Sequence, residues 1–329
     1  MTGPPTRIEP CPPEDWAAAL ALIYIRMREG LRGRLVADAI GAADRGEIDL
    51  AGLWVARRKG RLVGAMLTQA MAGRAAAVWA PEVVSGWGRA ELAAGLVRAA
   101  LDDLQARGFR IAQALLDDSA PARAAGDLAR GGLPRVAELA SMRRRVDAPI
   151  AVDPAGPRLD WRPYGPDTDA EFRELLERTY VGSLDMPELD GHRSLDDVLA
   201  GHRAAGRFDP GRWQVGRLPG SARASAVLLL SAVPDRTSWE VAYLGLAPEA
   251  RGRGLGRAIL ARAVELARPH ATDLELAVDT RNAPACKLYR GAGFKPFDRR
   301  AVHLARLGPG PGPSPTFRGG DPAALARGG

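Results

Sequence analysis

The chain has 329 residues, of which 46% are hydrophobic and 26% charged, and its formal net charge is +7. This length suits two domains of ordinary size, and the longest apolar run, near Ala226–Val233, is far too short to cross a bilayer. The basic residues are almost all arginines scattered along the chain. Because they form no patch of the kind that nucleic-acid binding uses, nucleic acid is not an expected partner.

The first residues, Met1–Arg7, lack the apolar core of a signal peptide, so a reducing cytoplasm is the expected location. The two cysteines, Cys11 and Cys286, provide no disulfide framework. The four histidines show no metal-ligand spacing, and we therefore expect no metal site.

The first half of the chain, 1–148, contains a predicted helix over Ala90–Arg107 and a predicted strand over Arg110–Leu116. A break follows at Asp147–Arg158, where three prolines and a glycine disfavour a helix. We interpret residues 149–156 within it as an interdomain linker.

The second half, 157–307, alternates strands and helices after an antiparallel meander, which is typical of a mixed α/β sheet. Residues Pro234–Thr237 carry the chemistry of a hairpin turn. A Gly- and Pro-rich tail, 308–329, is expected to be disordered. The predicted helices are Ala170–Tyr180, Leu195–Ala204, Gly254–Ala267 and Ala283–Gly291, and the predicted strands are Trp213–Arg217, Ser225–Val233, Trp239–Ala247, Asp273–Val278 and Arg299–Leu304.

An Arg- and Gly-rich loop joins the predicted strand Trp239–Ala247 to the helix that follows. Its residues are Arg251, Gly252, Arg253, Gly254, Leu255, Gly256 and Arg257. Glycines let backbone N–H groups approach an anion closely, and a helix N-terminus adds free donors and a positive dipole end. The loop therefore predicts a phosphate-binding site, although the short pattern is weak evidence alone in so Arg- and Gly-rich a chain.

Two further motifs flank this loop. Glu240 lies eleven residues before Arg251, and the segment Asn282–Phe294 reads Asn-Ala-Pro-Ala-Cys-Lys-Leu-Tyr-Arg-Gly-Ala-Gly-Phe after the next strand. In this order, over Trp161–Leu307, the chain resembles the GNAT family of acetyl-CoA-dependent N-acyltransferases. The resemblance implies an α/β fold, with a mixed, mostly antiparallel sheet flanked by helices. It also implies transfer of an acetyl group from acetyl-CoA to a primary amine, with a small molecule as the expected acceptor.

The resemblance also implies roles for the strand before the loop. Residues Leu244, Gly245 and Leu246 would lie along the pantetheine arm of acetyl-CoA, much as an added β-strand would. The Leu246 N–H would then face the thioester carbonyl as an oxyanion donor. Gly245 would allow close approach because it has no side chain.

Glu240 and Tyr289 are the candidate catalytic residues. Glu240 would act as general base, because a half-buried carboxylate has a raised pKa that suits proton uptake near neutrality; the alternative is a strand-start glutamate paired with an arginine. Tyr289 would protonate the departing thiolate, and the alternative is a packed aromatic residue. Asn282 is expected to cap the helix that carries Tyr289, and it is a candidate contact to the pantetheine.

The two halves carry related segments. Ala80-Pro81-Glu82 with Gly86-Trp87-Gly88-Arg89-Ala90 matches Ala247-Pro248-Glu249 with Gly254-Leu255-Gly256-Arg257-Ala258, and an Ala-Pro-Ala follows the next strand in each half. Counting along these matches places Glu240 on Gly73, Asn282 on Ser119 and Tyr289 on Gly126. We interpret the first half as a degenerate GNAT-like domain, in a tandem layout similar to that of mycothiol-synthase-like family members; a plain α/β domain with Gly-rich turns is the alternative.

Acceptor recognition is expected in the segment Gly182–Arg193 between the first two helices of the second half. Its acidic residues suit a cationic amine, although a solvated polar loop is the other interpretation. Two other functions stay open from the sequence. One is a non-catalytic acyl-CoA-binding or sensor protein, and the other is an acetyltransferase for protein N-termini or lysines.

Overall fold

The computed structural model describes residues 6–233 and 236–308. The strands of the first half are β1 (Thr6–Pro10), β2 (Leu53–Arg58), β3 (Arg61–Met71), β4 (Ala75–Val78), β5 (Glu82–Val83), β6 (Ile111–Leu116) and β7 (Arg135–Arg145). Its helices are α1 (Trp16–Ile23), α2 (Glu29–Asp44), α3 (Arg89–Ala106) and α4 (Ala122–Arg130).

The second half has the same alternation of elements. Its strands are β8 (Asp160–Pro163), β9 (Trp213–Arg217), β10 (Ala224–Ala232), β11 (Ser238–Leu246), β12 (Asp273–Asp279) and β13 (Lys295–Arg306). Its helices are α5 (Asp169–Tyr180), α6 (Leu195–Ala204), α7 (Leu255–Ala267) and α8 (Ala283–Gly291).

The strands form one mixed sheet in the order β1-β2-β3-β4-β6-β13-β7-β12-β11-β10-β9-β8, with β5 paired to β3. Neighbouring strands are antiparallel except at two places, β4 with β6 and β11 with β12. The expected α/β class, with a mostly antiparallel sheet flanked by helices, is confirmed.

The two halves exchange a strand in the middle of this sheet. Strand β7 of the first half lies between β12 and β13 of the second half, and β13 in turn pairs with β6 of the first half. Each half therefore completes the sheet of the other. The sequence predicted two halves joined by a linker, and it gave no sign of this exchange.

Helix α7 shows how the sequence positions the site. Its buried residues recur every three or four positions and pack on the α7 side of the sheet, which is the pattern of an amphipathic helix. They are Leu255, Ile259, Leu260, Ala263, Val264 and Ala267. On the opposite face, α5 and α6 cover a second cluster that includes Phe172, Trp213 and Leu229. The second half is thus a sheet with an apolar layer on both sides.

Most predicted elements of the second half agree with the observed bounds. Helices Leu195–Ala204 and Ala283–Gly291 and strand Trp213–Arg217 match, whereas β13 begins four residues before the predicted Arg299. Strand β8 was missed, because its four residues are too few to show a period. The hairpin turn at Pro234–Thr237 lies partly outside the described residues, and so does the predicted tail beyond Gly308.

None of the helices within residues 6–233 and 236–308 combines the length and the apolar character needed to cross a membrane.

Candidate functional site

The parallel strands β11 and β12 part after only three paired positions. Ser238, Trp239 and Glu240 face Asp273, Leu274 and Glu275, respectively. Beyond them β11 stays paired with β10 only, and β12 with β7 only. A wedge therefore opens between two neighbouring strands of the sheet, with Glu240 and Glu275 at its narrow end.

An irregularity in β11 accompanies the opening. Leu229 faces Tyr243 while Leu230 faces Val241, so Ala242 is an extra residue on β11. A bulge of this kind bends its strand and increases the local twist. It lies two residues beyond Glu240, at the level where β11 leaves β12.

Backbone groups of β11 point into the wedge. The Ala247 N–H donates to the Ser225 carbonyl of the β10 side at 2.9 Å. Successive residues of a strand direct their backbone groups to opposite edges, so the N–H groups of Leu244 and Leu246 point toward the wedge. These are the strand residues that we predicted to lie along the cofactor arm.

Gly245 has a structural reason that differs from the predicted one. A Cβ built on it would lie 2.7 Å from Tyr243 Cε1 and 2.8 Å from Thr179 Cβ. The missing side chain thus makes room for the packing of α5 on β11. Close approach of a ligand to Gly245 is not needed to explain the glycine.

The loop before α7 has the geometry of an anion-binding site. Gly252 and Gly254 have φ values of 72° and 78°, the left-handed conformation that glycine tolerates. Within the described parts of the chain, the N–H groups of residues 252–256 have no hydrogen-bond acceptor. Consecutive free N–H groups at a helix N-terminus form a concave, positive surface that suits a phosphate.

The three arginines of this loop have different partners. Arg251 donates to the backbone carbonyls of Thr179, Gly182 and Leu246 at 2.9–3.2 Å. Arg257 donates to the carbonyls of Ala151 and Gly291 at 2.6 and 3.0 Å. Both guanidinium groups fasten neighbouring segments around the loop.

Arg253 is the remaining candidate for a side-chain contact to phosphate. Its guanidinium has no hydrogen bond or ion pair within residues 6–233 and 236–308. It borders an open cavity of about 640 Å³, which Arg158 of the linker region and Ser221 also line.

Glu240 is half-buried at the narrow end of the wedge, and its carboxylate has no hydrogen bond or ion pair within the described residues. Burial, and secondly the nearby charge of Glu275, raise the pKa of Glu240 above its usual value of 4.5. Glu275 itself is paired with Arg143 at 2.8 Å and lies 3.8 Å from Arg236. The alternative interpretation, in which Glu240 pairs with an arginine, is therefore not observed among the described residues. The role of Glu240 as a base stays a prediction.

Asn282 and Tyr289 lie on α8 as the sequence suggested. The Asn282 side chain accepts a hydrogen bond from the Ala285 N–H at 3.2 Å and caps the helix. Tyr289 is 9% exposed, its ring is 6.0 Å from that of Phe294, and its hydroxyl has no hydrogen-bond partner in the described chain. Burial, and secondly the charge of Asp185, raise the pKa of Tyr289, so the phenol stays protonated at neutral pH.

An aromatic and histidine cluster around Tyr243, which follows Glu240 by three residues on β11, was missed from the sequence. The Tyr243 hydroxyl lies 2.9 Å from Thr179 Oγ1, and the Tyr243 ring centre is 5.1 Å from that of Tyr180. The Tyr180 hydroxyl is 3.2 Å from His202 Nε2. Burial, and secondly the charge of Arg193, lower the pKa of His202 to about 4, so this imidazole is neutral. The members come from α5, α6 and β11, and no spacing in the sequence links them.

Acidic side chains of the segment Gly182–Arg193 have partners elsewhere in the second half. Arg281 pairs with Glu188 at 2.7 Å and with Asp279 at 2.6 Å. Asp185 accepts a hydrogen bond from the Asp279 N–H at 3.0 Å, and burial raises the pKa of Asp185. Arg281 thus offsets part of the negative charge that we expected to attract a cationic amine.

The first half repeats the strand geometry of the site without its carboxylate. Strands β4 and β6 pair in parallel at three positions, the last of which joins Ala77 and Gln113. Ala77 therefore corresponds to Glu240, and Gln113 to Glu275. Gly73, which we had matched to Glu240 by counting, lies in the turn before β4 with a φ of 77°.

Comparison of α4 with α8 gives the first-half counterparts of Asn282 and Tyr289. Helices α4 and α8 each have 9 residues, and their N-caps are Pro121 and Asn282. Tyr289 therefore corresponds to Leu128, which is fully buried. Counting had placed these positions two residues earlier, on Ser119 and Gly126. In both alignments the first half lacks the functional side chains.

The loop before α3 keeps the two glycines of the anion site. Gly86 and Gly88 have positive φ values of 145° and 69°, and Gly88 is the N-cap of α3, as Gly254 is of α7. Gly88 therefore corresponds to Gly254, and the match of Gly86 with Gly254 that the sequence indicated is wrong by two residues. The next residue in the first half is Arg89, which donates to the buried carboxylate of Asp127 at 2.5 Å. A carboxylate of the chain itself thus lies near the start of this helix.

Comparisons with known proteins agree with the fold. The profile described as "Acetyltransferase (GNAT) family" matches residues 169–294. A mycothiol acetyltransferase from Beutenbergia cavernae is 36% identical over 151 residues, which are 46% of this chain and 48% of the relative. One from Thermobifida fusca is 31% identical over 323 residues, covering 88% of this chain and 94% of the relative. The chain thus spans about half the length of the first relative and nearly all of the second.

A solved structure shares the fold. The GCN5-related N-acetyltransferase from Sphaerobacter thermophilus superposes with a TM-score of 0.57 at 20% identity, over 94% of this chain and 98% of that one. The long alignment with the Thermobifida fusca protein includes both halves. Together with the wedge, the anion loop and the profile match, it shows that the chain belongs to the GNAT acetyltransferase family.

Proposed function

We propose that the protein transfers an acetyl group from acetyl-CoA to a primary amine of a small-molecule acceptor, and that the second half carries the chemistry. The observation that carries this proposal is the wedge between β11 and β12. It has a half-buried carboxylate, Glu240, at its narrow end. Beyond its wide end lie the N–H groups of residues 252–256, which have no acceptor in the described part of the chain.

The residues present fit acetyl-CoA. The N–H groups of the loop before α7 would bind the pyrophosphate. The Arg253 guanidinium, which has no partner among the described residues, would add a charge-assisted contact. The N–H groups of Leu244 and Leu246 would hold the extended pantetheine arm as a strand partner would. Acetyl-CoA itself would supply the activated acyl group.

Three groups would then carry the transfer. Glu240 would accept the proton of the attacking amine, directly or through a water, because it is ionisable, half-buried and not paired with a cation of the described chain. The Leu246 N–H would stabilise the charge on the thioester oxygen. The Tyr289 hydroxyl, which is protonated at neutral pH, would donate its proton to the departing thiolate.

The relatives narrow the acceptor. Both reported relatives are named mycothiol acetyltransferases, and we infer that the acceptor of this chain is a small amine of the kind that those enzymes acetylate. The cluster of Tyr180, His202 and Tyr243, with Asp185 nearby, would form the acceptor side of the wedge. Both cysteines are free thiols, which fits a reaction in the cytoplasm.

The first half would have lost the reaction. Ala77, Pro121 and Leu128 stand where the second half has Glu240, Asn282 and Tyr289. The buried Arg89–Asp127 pair would also oppose phosphate binding at α3, because a carboxylate near a helix N-terminus competes with an anionic ligand.

The test is release of free thiol from acetyl-CoA by the purified full chain, over a panel of amines that includes the acceptor of mycothiol acetyltransferases. We expect release with one amine class and a product heavier by one acetyl group. The variant Glu240→Gln is the control and should bind acetyl-CoA with nearly unchanged affinity. Binding of acetyl-CoA without release for any amine would instead support a non-catalytic acyl-CoA-binding protein.

A further inference from the structure

A row of charged residues crosses the sheet at the narrow end of the wedge. Glu240 on β11 faces Glu275 on β12, Glu275 faces Arg143 on β7, and Arg143 faces Lys295 on β13. Side chains that face each other on neighbouring strands point to the same side of a sheet and lie about 5 Å apart. Two of the four residues, Glu275 and Arg143, are in direct contact.

Arg143 is the closest cation to Glu275. Its guanidinium donates to the Glu275 carboxylate at 2.8 Å and lies 4.4 Å from the ring centre of Phe297 on β13. The Glu275 side chain is only 13% exposed, so its charge is poorly screened by solvent. The second cation, Arg236, is farther away at 3.8 Å.

The origin of Arg143 matters for the function of the two halves. It belongs to β7, the strand that the first half inserts between β12 and β13. The first half lacks the functional side chains, but it thus supplies Arg143, the cation that lies closest to Glu275.

We propose that Arg143 is a positioning residue for the transfer reaction, which holds Glu275 and offsets its negative charge beside Glu240. This inference rests on the proposed function, since it requires Glu240 to act as the base. By this assignment the first half takes part in catalysis through β7, without binding either substrate.

The direction of the effect follows from the charges. The groups that face Glu240 from the neighbouring strands are Ser231 on β10 and Glu275 on β12, with Arg143 and Arg236 beyond Glu275. Loss of Arg143 leaves a less compensated negative charge at Glu275, which favours the protonated form of Glu240. The ionised base then appears only at higher pH.

The experiment is the pH dependence of kcat/KM for Arg143→Met in the full chain, with Arg145→Met as the matched control. Arg145 is two residues along the same strand, faces Asp273 rather than Glu275, and pairs with exposed Asp147. We expect the acid limb of Arg143→Met to move up by about one pH unit, with up to tenfold lower kcat/KM below the limb. The control should keep the limb of the unchanged protein.

Two further variants keep the inference open to refutation if Arg143→Met folds poorly. Arg143→Lys preserves the charge and should keep the limb within a few tenths of a unit. Glu275→Gln removes the charge that Arg143 offsets and should move the limb down by about one unit. Acetyl-CoA affinity should stay the same in all of them.

The outcomes separate this inference from the proposed function. No turnover of any amine by the unchanged protein would contradict the proposed function. Turnover with the same acid limb in the unchanged protein, Arg143→Met and Glu275→Gln would leave that function standing and overturn the role of Arg143. If Arg143→Met does not fold, an unmoved limb in Glu275→Gln is sufficient to overturn it.

Discussion

Strand β7 makes the second half depend on the first for its stability. It is hydrogen-bonded to β12 on one side and β13 on the other. Met142 and Val146 are each 2% exposed and Ala140 is 7% exposed, all within the core cluster of the second half. Burial of one Met or Val side chain contributes roughly 1.5–3 kcal/mol, and burial of the Ala140 methyl about 0.8 kcal/mol. The three residues together therefore contribute about 4–7 kcal/mol to that core.

This contribution is comparable to the whole stability of a typical domain, about 5–15 kcal/mol. A fragment that begins at the linker, 149–329, would lose it together with two ladders of backbone hydrogen bonds. We therefore expect the fragment to be unfolded by circular dichroism and to bind no acetyl-CoA, whereas the full chain unfolds cooperatively in urea.

Point variants check the same reasoning in the full chain. Met142→Ala should lower the free energy of unfolding by about 2–5 kcal/mol, while Met27→Ala, at a side chain 44% exposed, should change it by less than about 0.5 kcal/mol. A fragment 149–329 that folds and binds acetyl-CoA as the full chain does would refute the role assigned to β7.

Other predictions concern single side chains of the site. Glu240→Gln should lower kcat by about 10²–10⁴-fold and abolish the acid limb, which the raised pKa of Glu240 places above the usual glutamate value; an unchanged pH profile would exclude it as the base. Tyr289→Phe should slow thiol release with little effect on acetyl-CoA affinity, and equal turnover would exclude it as the acid. Arg253→Gln should weaken acetyl-CoA binding and its salt dependence without loss of stability, whereas Arg251→Gln, which removes three bonds to carbonyls, should lower the melting temperature. A lower melting temperature in Arg253→Gln, with weaker acetyl-CoA binding in a stable Arg251→Gln, would contradict these assignments.

The local elements of the second half could be predicted because their signals are local. The period of apolar residues identifies α6 and α7, and Asn282 marks the start of α8. The turn before α7 could be predicted because glycine tolerates the positive φ that Gly252 and Gly254 adopt. Anion binding by this loop stays a prediction.

The strand exchange could not be predicted in the same way. Strand β7 has the same apolar alternation whether it pairs within its own half or with β12 and β13, so its partners are set by tertiary packing. The contact between Arg143 and Glu275, on which the proposed role of Arg143 rests, depends on that pairing and could not be predicted either.

Counting along the repeat also misled the detailed matches. The strand after Gly73 is shorter than β11, and the loop before α4 differs in length from that before α8, so fixed offsets drift by two to four residues. The register of the paired strands and the first residues of the helices give the corrected matches. The partners of Arg251 and the packing of Gly245 both depend on Thr179 at the end of α5, which lies more than 60 residues away in sequence.

The central claim is that the acetyl-CoA site belongs to the second half alone. Gly254 and Gly88 test it as a matched pair, because they are N-caps of corresponding helices with φ values of 78° and 69°. Valine at either position carries a similar backbone strain, but only at Gly254 would it block the approach of the pyrophosphate. Calorimetric titration of acetyl-CoA into the full chain should give one site in the unchanged protein and in Gly88→Val, and none in folded Gly254→Val. Two sites in the unchanged protein, or loss of binding in Gly88→Val with binding kept in Gly254→Val, would contradict the claim.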